Sequence, residues 1–295
     1  MKQSVGASWL AVSMAEALTL MAVHAHPDDE ASGGGILAAY ADQGVRVVVV
    51  TCTNGEFGDA PGGIKPGQDG HQPDQVARLR LAELDESARI LQISALETLG
   101  YHDSGMLEWD FKGRPDAFCN VPLDTVAGRI GELITKYRPQ VLVTYDDEGA
   151  YQHPDHVHAS RAAQAAAAAT GIPAKVYLST MRGSNWRKIW DALAAAGEEV
   201  PDWINDDSDE AKARAERALE SEGRITTTVD IRPVLERKRA ALFAHGSQIN
   251  DSWFSKLPAD VAEQVFGFEY FIRAVDTTGT PPPESDLFAG LSTGA

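Results

Sequence analysis

Short apolar runs rich in β-branched residues alternate with helical patterns along the first 180 residues of the chain. The runs show no polar–apolar alternation, which is typical of strands covered on both faces. Strands are predicted at Leu18–Val23, Val45–Thr51, Leu96–Leu99, Val141–Thr144 and Lys175–Leu178. Helices are predicted at Ile36–Gln43, Gln75–Leu91, Thr125–Tyr137 and His156–Ala169. This alternation predicts an α/β fold with a Rossmann-like, mostly parallel sheet flanked by helices, and ligands at the carboxyl ends of the strands.

The alternation weakens beyond residue 180. The sequence there predicts helices at Asn185–Ala196, Ala211–Glu222 and Val234–Ala244, strands at Ile225–Ile231 and Phe268–Val275, and an acidic loop at Asp202–Glu210. We expect residues 1–17 to be an N-terminal extension and residues 18–276 to be one domain, whose part 180–276 forms a smaller lobe over the site. Residues 277–295, with three consecutive prolines, are predicted as an extended tail. The Gly-, Pro- and Asp-rich loop Phe57–Gln72 is predicted to wall the site.

Charge and composition exclude several classes of partner. The formal net charge of −17 argues against nucleic acid or an anionic membrane, since either requires a basic surface. No apolar run approaches the roughly 20 residues that cross a bilayer. The first residues have some character of a signal peptide, but Glu16 interrupts them. Two cysteines, Cys52 and Cys119, are too few for a disulfide framework, so a cytoplasmic location is expected. The sequence leaves the oligomeric state open.

Two clusters of ionisable residues each follow a predicted strand. The first reads His26-Pro27-Asp28-Asp29-Glu30, and the second reads Tyr151-Gln152-His153-Pro154-Asp155-His156. Desolvating such groups side by side costs free energy, and a divalent cation compensates histidine and aspartate together. If both clusters lie at one edge of a parallel sheet, they can converge. Two histidines and one carboxylate with room for water are the donor set of a catalytic zinc or a similar metal, and an extra carboxylate can act as a base.

Several single residues have simpler interpretations than a role in a site. Gly33-Gly34-Gly35 is not a GxGxxG dinucleotide motif and follows acids that would repel a pyrophosphate. His24 and His158 are predicted to be packed histidines, and His71 and His102 to be loop residues. His245 fits either a helix C-terminus or the edge of the site. Taken alone, Arg80 is an i,i+3 partner of Glu83.

The motifs AHPDDE at 25–30 and HPDH at 153–156 resemble the paired motifs of the LmbE-like metal-dependent deacetylases, also called the PIG-L family. The likeness continues in the RxxE pattern of Arg80 and Glu83, in GYHDSG at 100–105 and in KRAALFAHGSQI at 238–249. The ending PPPESDLFAGL is similar to the mycothiol S-conjugate amidase branch. Gly33, however, stands where that branch has a lysine.

The resemblance implies a role for each motif residue. Zinc ligands are expected at His26, Asp29 and His156, with ferrous iron or cobalt able to use the same ligands. Catalytic roles are expected for Asp28 as the general base, His153 as a protonated partner oriented by Asp155, and Tyr151 as a donor to the developing oxyanion. Substrate contacts are expected from Arg80, which would hold the sugar, and from Asp103 and His245.

The expected function is zinc-dependent hydrolysis of an amide on a small amino-sugar substrate. The amide is either an N-acetyl group or the bond that joins a glucosamine to a cysteinyl unit. A metal activates water and polarises the carbonyl, Asp28 takes a proton, and Asp28 or His153 protonates the leaving amine. Two alternatives belong to other classes: a metal- and sugar-binding protein without turnover, and a nucleotide-dependent enzyme on a similar sheet.

Overall fold

The structure is a computed structural model that describes residues 18–106, 109–200, 208–249 and 253–291. The predicted N-terminal extension 1–17 and most of the predicted acidic loop 202–210 lie outside these residues. No helix within the described ranges is long and apolar enough to cross a membrane.

A seven-stranded sheet forms the centre of the described fold. Its strands are β1 (Thr19–His24), β2 (Arg46–Thr53), β3 (Ala95–Tyr101), β4 (Val141–Tyr145), β5 (Lys175–Thr180), β6 (Thr227–Asp230) and β7 (Phe268–Asp276). Their order is β3-β2-β1-β4-β5-β7-β6. The first five strands pair in parallel, and β7 is antiparallel to both of its neighbours. The predicted α/β class with a mostly parallel sheet is confirmed.

Helices connect the strands. They are α1 (Asp29–Ser32), α2 (Gly34–Asp42), α3 (Pro73–Leu91), α4 (Leu123–Tyr137), α5 (Gly149–Gln152), α6 (Pro154–Thr170), α7 (Gly183–Ala195), α8 (Asp209–Gly223), α9 (Leu235–Ala244), α10 (Gly246–Ile249), α11 (Trp253–Lys256) and α12 (Ala259–Phe266). Each of the four helices predicted before residue 180 begins two residues earlier than predicted. For α3 and α6 the reason is a proline at the first helical position, where its missing N–H costs nothing.

Each face of the sheet carries its own apolar layer. On β1, Leu20 and Ala22 belong to one layer and Met21 and Val23 to the other, and all six residues of the strand are buried. Burial on both faces explains why the sequence shows no alternation in this strand.

The strand order reverses between β1 and β4. The chain leaves β1 toward β2 on one side, and it leaves β4 toward β5 on the other side. Such a switch point opens a crevice at the carboxyl ends of the two strands, where open α/β sheets bind ligands. Both ionisable clusters directly follow these two strands, so the topology places them at the same crevice.

The C-terminal part adds to the same sheet through β6 and β7. The helices around it enclose a separate apolar cluster of Ile189, Trp190, Leu193, Leu257, Ala262 and Val265. The described residues of the tail are bound rather than loose: Leu287 and Phe288 are buried, and the buried Glu284 accepts hydrogen bonds from Lys175 and Tyr177.

Candidate metal and catalytic site

The three predicted ligands converge at the switch point. Nδ1 of His26 lies 3.2 Å from Nε2 of His156 and 3.4 Å from Oδ2 of Asp29, and Nε2 of His156 lies 3.3 Å from Oδ1 of Asp29. Ligands held about 2.0–2.1 Å from a tetrahedral zinc ion are about 3.3–3.4 Å from one another. The two histidine nitrogens therefore have the spacing of two ligands of such a site, and each carboxylate oxygen of Asp29 lies at that spacing from one of them.

The ring nitrogen of each histidine that faces away from the other ligands has a hydrogen-bond acceptor. Nε2 of His26 lies 3.1 Å from Oδ2 of Asp155, and Nδ1 of His156 lies 3.1 Å from the carbonyl oxygen of Gly149. Both partners accept hydrogen bonds, so the neutral form of each imidazole, the form that binds a metal, carries its proton on the outer nitrogen and turns a lone pair toward the centre. This donor set fits a divalent metal.

The site holds an excess of buried negative charge. Burial opposes the charge of His26, yet the carboxylates of Asp103, Asp155 and Asp29 raise its pKa well above the usual value. Burial also opposes the charge of Asp29, but His156 and His26 hold the pKa of its carboxyl well below the usual range. Burial lowers the pKa of His156 to about 4. A bound cation would balance these carboxylates.

Tyr145, the last residue of β4, was missed by the sequence reasoning. Its hydroxyl donates to Oδ2 of Asp29 at 2.7 Å and accepts from the amide of Ala25 at 2.6 Å. Its ring stacks on His156 with centroids 4.2 Å apart. Tyr145 thus orients two of the predicted metal ligands. Its position at the carboxyl end of a strand was the available signal.

Asp28 lies beside the ligands in an unusual backbone conformation. Its φ is 112° and its ψ is −25°, a region that non-glycine residues rarely adopt and that clusters at functional sites. Its side chain is 26% exposed and accepts a hydrogen bond from Nη2 of Arg80 at 2.9 Å. Burial raises the pKa of Asp28 to about 6, against the opposing effect of Arg80. A carboxylate with this pKa is suited to accept a proton near neutral pH.

Arg80 is buried against Asp28 and the neighbouring backbone, and its predicted contact with the sugar stays a prediction. It is 4% exposed, and its terminal nitrogens donate to the carbonyl oxygens of Gly55 (2.7 Å) and Pro27 (2.6 Å) and to Asp28. Arg80 does not pair with Glu83, whose carboxylate instead accepts from the amide and the hydroxyl of Ser247. The structure gives Arg80 a positioning contact with Asp28.

Asp155 also has a different partner from the predicted one. Its carboxylate accepts from the hydroxyl and the amide of Ser104 and faces His26 rather than His153. The backbone N–H of Asp155 donates to Nδ1 of His153 at 3.2 Å, which leaves the proton of a neutral imidazole on Nε2. Burial, followed by the charges of His26 and His156, lowers the pKa of His153 to about 2. The Asp155 carboxylate therefore faces His26, while its backbone N–H contacts His153, and the protonated state predicted for His153 stays a prediction.

Tyr151 is close to the ligands and open to solvent. It lies in the irregular helix α5, where Ala150 has a φ of 63°, and it is 56% exposed. Its ring centroid is 5.2 Å from that of His156 and 5.8 Å from that of His153.

The remaining predicted residues divide into one beside the ligands and one behind them. Asp103 is 4% exposed, and its Oδ1 lies 3.6 Å from Nε2 of His26. His245 is 0% exposed and donates from Nε2 to Glu30 at 2.7 Å, so the prediction that it contacts substrate is wrong.

Glu56, which follows β2, is a second residue that the sequence reasoning missed. One oxygen of its buried carboxylate faces Nδ1 of His102 at 2.7 Å. The other oxygen is buried and has no hydrogen-bond partner among the described residues. A carboxylate after β2 lies at the same sheet edge as the clusters, and that position was the signal for it.

The long loop Phe57–Gln72 lies next to these groups. Gln248 holds it through both backbone groups of Asp59, accepting from the amide at 3.1 Å and donating to the carbonyl at 3.0 Å. Phe57 stacks on Phe111 of the loop after β3, with centroids 4.2 Å apart. Gly58 of this loop lies against Arg80, since an added Cβ there would meet Nη1 of Arg80 at 2.8 Å.

Comparison with known proteins gives the family. Residues 21–167 match the model of the PIG-L family, which is described as "GlcNAc-PI de-N-acetylase". A protein of Acidothermus cellulolyticus named 1D-myo-inositol 2-acetamido-2-deoxy-alpha-D-glucopyranoside deacetylase is 38% identical over 285 residues, which cover 92% of this chain and 95% of that protein. This chain belongs to the PIG-L family. A mycothiol S-conjugate amidase of Streptomyces coelicolor is 36% identical, with 94% of this chain and 99% of that protein covered.

A solved structure supports the fold. The N,N'-diacetylchitobiose deacetylase of Pyrococcus horikoshii superposes with a TM-score of 0.56 at 21% identity, over 88% of this chain and 84% of that one. The predicted family and the predicted enzyme class, a hydrolase of linear amides, are confirmed by the named PIG-L relatives. The roles of the individual site residues stay predictions.

Proposed function

We propose that this PIG-L protein is a metal-dependent hydrolase that removes the acyl group from an N-acyl amino sugar. The observation that carries the proposal is the triangle of His26, Asp29 and His156 donor atoms, with the separate carboxylate of Asp28 beside it. A binding protein without turnover would need the triangle but no additional carboxylate with a raised pKa. A nucleotide-dependent enzyme would need donors for phosphate at this edge, where the clusters place carboxylates.

Each residue then has a defined task. His26, Asp29 and His156 would hold the metal, which when bound polarises the amide carbonyl and lowers the pKa of water. Asp28 accepts the proton of the attacking water and delivers it to the leaving nitrogen, because an amine leaves poorly without a proton. The hydroxyl of Tyr151 and the Nε2 proton of the neutral His153 are donors for the oxyanion that develops at the carbonyl.

We propose zinc as the metal. Two imidazole nitrogens and one carboxylate oxygen are a donor set of catalytic zinc sites, and the spacing of the two imidazole nitrogens fits tetrahedral coordination. Ferrous iron and cobalt would accept the same donors. Titration of the metal-free protein with each ion, followed by turnover, ranks them.

The proposed substrate is a glucosaminide of inositol that carries an N-acetyl group, as in the names of the deacetylase relatives. A thiol conjugate that contains the same sugar is the second candidate, favoured by the amidase relative. The tail does not choose between them, because its Glu284 binds Lys175 at the amino end of β5, away from the carboxyl ends of the strands. Gly33 leaves room for either substrate, since an added Cβ would meet only His24, at 4.0 Å.

The location proposed for this enzyme is the cytoplasm. Cys52 and Cys119 are free thiols, as expected of a protein in a reducing compartment.

The decisive experiment compares metal-free and zinc-loaded protein on both substrates by the release of primary amine. The expected result is turnover only with zinc, and its loss in Asp28→Asn while zinc remains bound. Turnover that persists in the chelated enzyme, or a fully active Asp28→Asn protein, would exclude the proposal. Turnover of neither substrate by the zinc-loaded enzyme would exclude both proposed substrates.

A further inference from the structure

Behind Asp28 lies a fully buried pair, Glu30 and His245, for which the proposed mechanism has no use. We propose that His245 is a positioning residue that acts through Glu30 to fix the backbone of Asp28. The inference rests on the proposed function, in which Asp28 is the base. His245 has no access to substrate, so its effect on turnover has to pass through Asp28.

The contacts run in one continuous chain. Nε2 of His245 donates to Oε1 of Glu30 at 2.7 Å, and the hydroxyl of Ser87 donates to the same oxygen. Oε2 of Glu30 accepts the backbone N–H of Asp28 at 2.9 Å. All three partner groups donate a hydrogen bond to Glu30. Only a carboxylate, which has two accepting oxygens and no donor, can accept all three. An amide at this position would have to turn an NH2 group toward at least one donor.

Both polar groups of the peptide bond between Pro27 and Asp28 form hydrogen bonds with buried side chains. Arg80 donates to the carbonyl oxygen of Pro27 at 2.6 Å, and Glu30 accepts from the amide of Asp28. The orientation of this peptide plane sets the φ of Asp28, which is 112°. A residue other than glycine keeps such a conformation only when its surroundings impose it. Glu30 and Arg80 are those surroundings, and His245 holds Glu30 in place.

His245 reaches Glu30 from a distant part of the sequence. It follows α9, and its own amide donates to the carbonyl oxygen of Leu242 at 3.1 Å. Its Nδ1 is buried without a hydrogen-bond partner among the described residues, so the contact with Glu30 is the hydrogen bond that the imidazole makes there. A polar ring buried for a single hydrogen bond indicates that this bond has a specific task.

A matched pair of substitutions tests this role. In His245→Gln the side-chain amide can place its nitrogen near the position of Nε2, whereas in His245→Asn the amide is one methylene too short. We expect His245→Asn to lower kcat about 10- to 100-fold with KM within about 3-fold, because a misplaced base costs rate rather than binding. His245→Gln should recover most of kcat. Glu30→Gln, which keeps size and shape, should resemble His245→Asn.

A readout without turnover separates this inference from the proposed function. Hydrogen exchange of the Asp28 amide is measured in the metal-free protein, with Glu284→Gln as a control that removes a buried, ion-paired carboxylate far from the site. Exchange should accelerate at least about 10-fold in Glu30→Gln and in His245→Asn but not in Glu284→Gln. Zinc affinity, measured by competition with a chelator, should stay within about 3-fold of the unchanged protein.

Two results would overturn the inference. One is a wild-type kcat in both His245→Asn and Glu30→Gln. The other is unchanged Asp28 exchange in folded Glu30→Gln, which decides the question even if His245→Asn fails to fold. If the unchanged enzyme hydrolyses neither substrate, both proposed substrates are excluded, while the exchange measurement still decides whether Glu30 and His245 hold Asp28.

Discussion

Removing the hydroxyl of Tyr145 should weaken metal binding without touching a ligand. This hydroxyl donates to Asp29 at 2.7 Å and accepts from the amide of Ala25 at 2.6 Å. In Tyr145→Phe, Asp29 loses the group that orients it, and such losses typically cost about 10- to 100-fold in metal affinity. The Ala25 amide is left buried without an acceptor, which costs about 1–3 kcal/mol. The ring and its stacking on His156 remain.

Two measurements check this expectation, zinc affinity by chelator competition and urea unfolding of the metal-free protein. Tyr177→Phe is the matched control, because its hydroxyl also donates to a buried carboxylate, that of Glu284, at 2.9 Å. We expect both variants to lose unfolding free energy but only Tyr145→Phe to lose zinc affinity. Equal zinc affinity in Tyr145→Phe and in the unchanged protein would refute the role given to Tyr145.

Three further predictions concern charge. Arg80→Gln removes the cation that opposes the raised pKa of Asp28, so the acid limb of kcat/KM should move to higher pH; a limb that stays in place contradicts this contact. In the metal-free protein, Glu30 has a lowered pKa and His245 a raised one. Stability from Glu30 should be lost as pH falls through its folded pKa, below the usual 4.5, and stability from His245 as pH rises through its folded pKa, above the usual 6.5. The urea midpoint of the unchanged protein should therefore fall as the pH rises through the folded pKa of His245, and this fall should be absent in His245→Gln. Lys175→Met leaves the buried Glu284 carboxylate with Arg273, 3.1 Å away, as its remaining cationic partner, which should cost about 1–3 kcal/mol of unfolding free energy by urea titration with little change in kcat.

The fold could be predicted from the sequence because its strands and helices are locally encoded. The continuous apolar run of β1 indicates a strand buried on both faces, as the structure has it. A strand that ends there places His26 at the carboxyl end of the sheet. The tail was harder to predict. Its composition indicates an extended segment, but Glu284 binds Lys175 across 109 residues of sequence, and no local pattern encodes that contact.

The sequence predicted which residues form the site but not their hydrogen-bond partners or backbone conformations. His26, Asp29 and His156 were named from motifs, and the topology brings them together. The direction of the Asp155 carboxylate depends on Ser104, which is 51 residues away in sequence and donates to it from another loop. The positive φ of Asp28 was also beyond sequence reasoning, because nothing in the residue type favours that conformation over the ordinary ones.

The two neighbouring aspartates of the first motif show how the fold separates a base from a ligand. Burial affects both Asp28 and Asp29, but their partners differ. Asp29 faces His156 and His26 and accepts from Tyr145, so its carboxyl has a pKa well below the usual range and stays ionised as a metal ligand requires. Asp28 is turned away by its positive φ, keeps Arg80 as its cationic partner, and has a pKa raised to about 6. Two adjacent carboxyls with pKa values moved in opposite directions can hold a metal and exchange a proton at the same pH. The difference in partners, Arg80 for Asp28 and two histidines for Asp29, is what separates the base from the ligand.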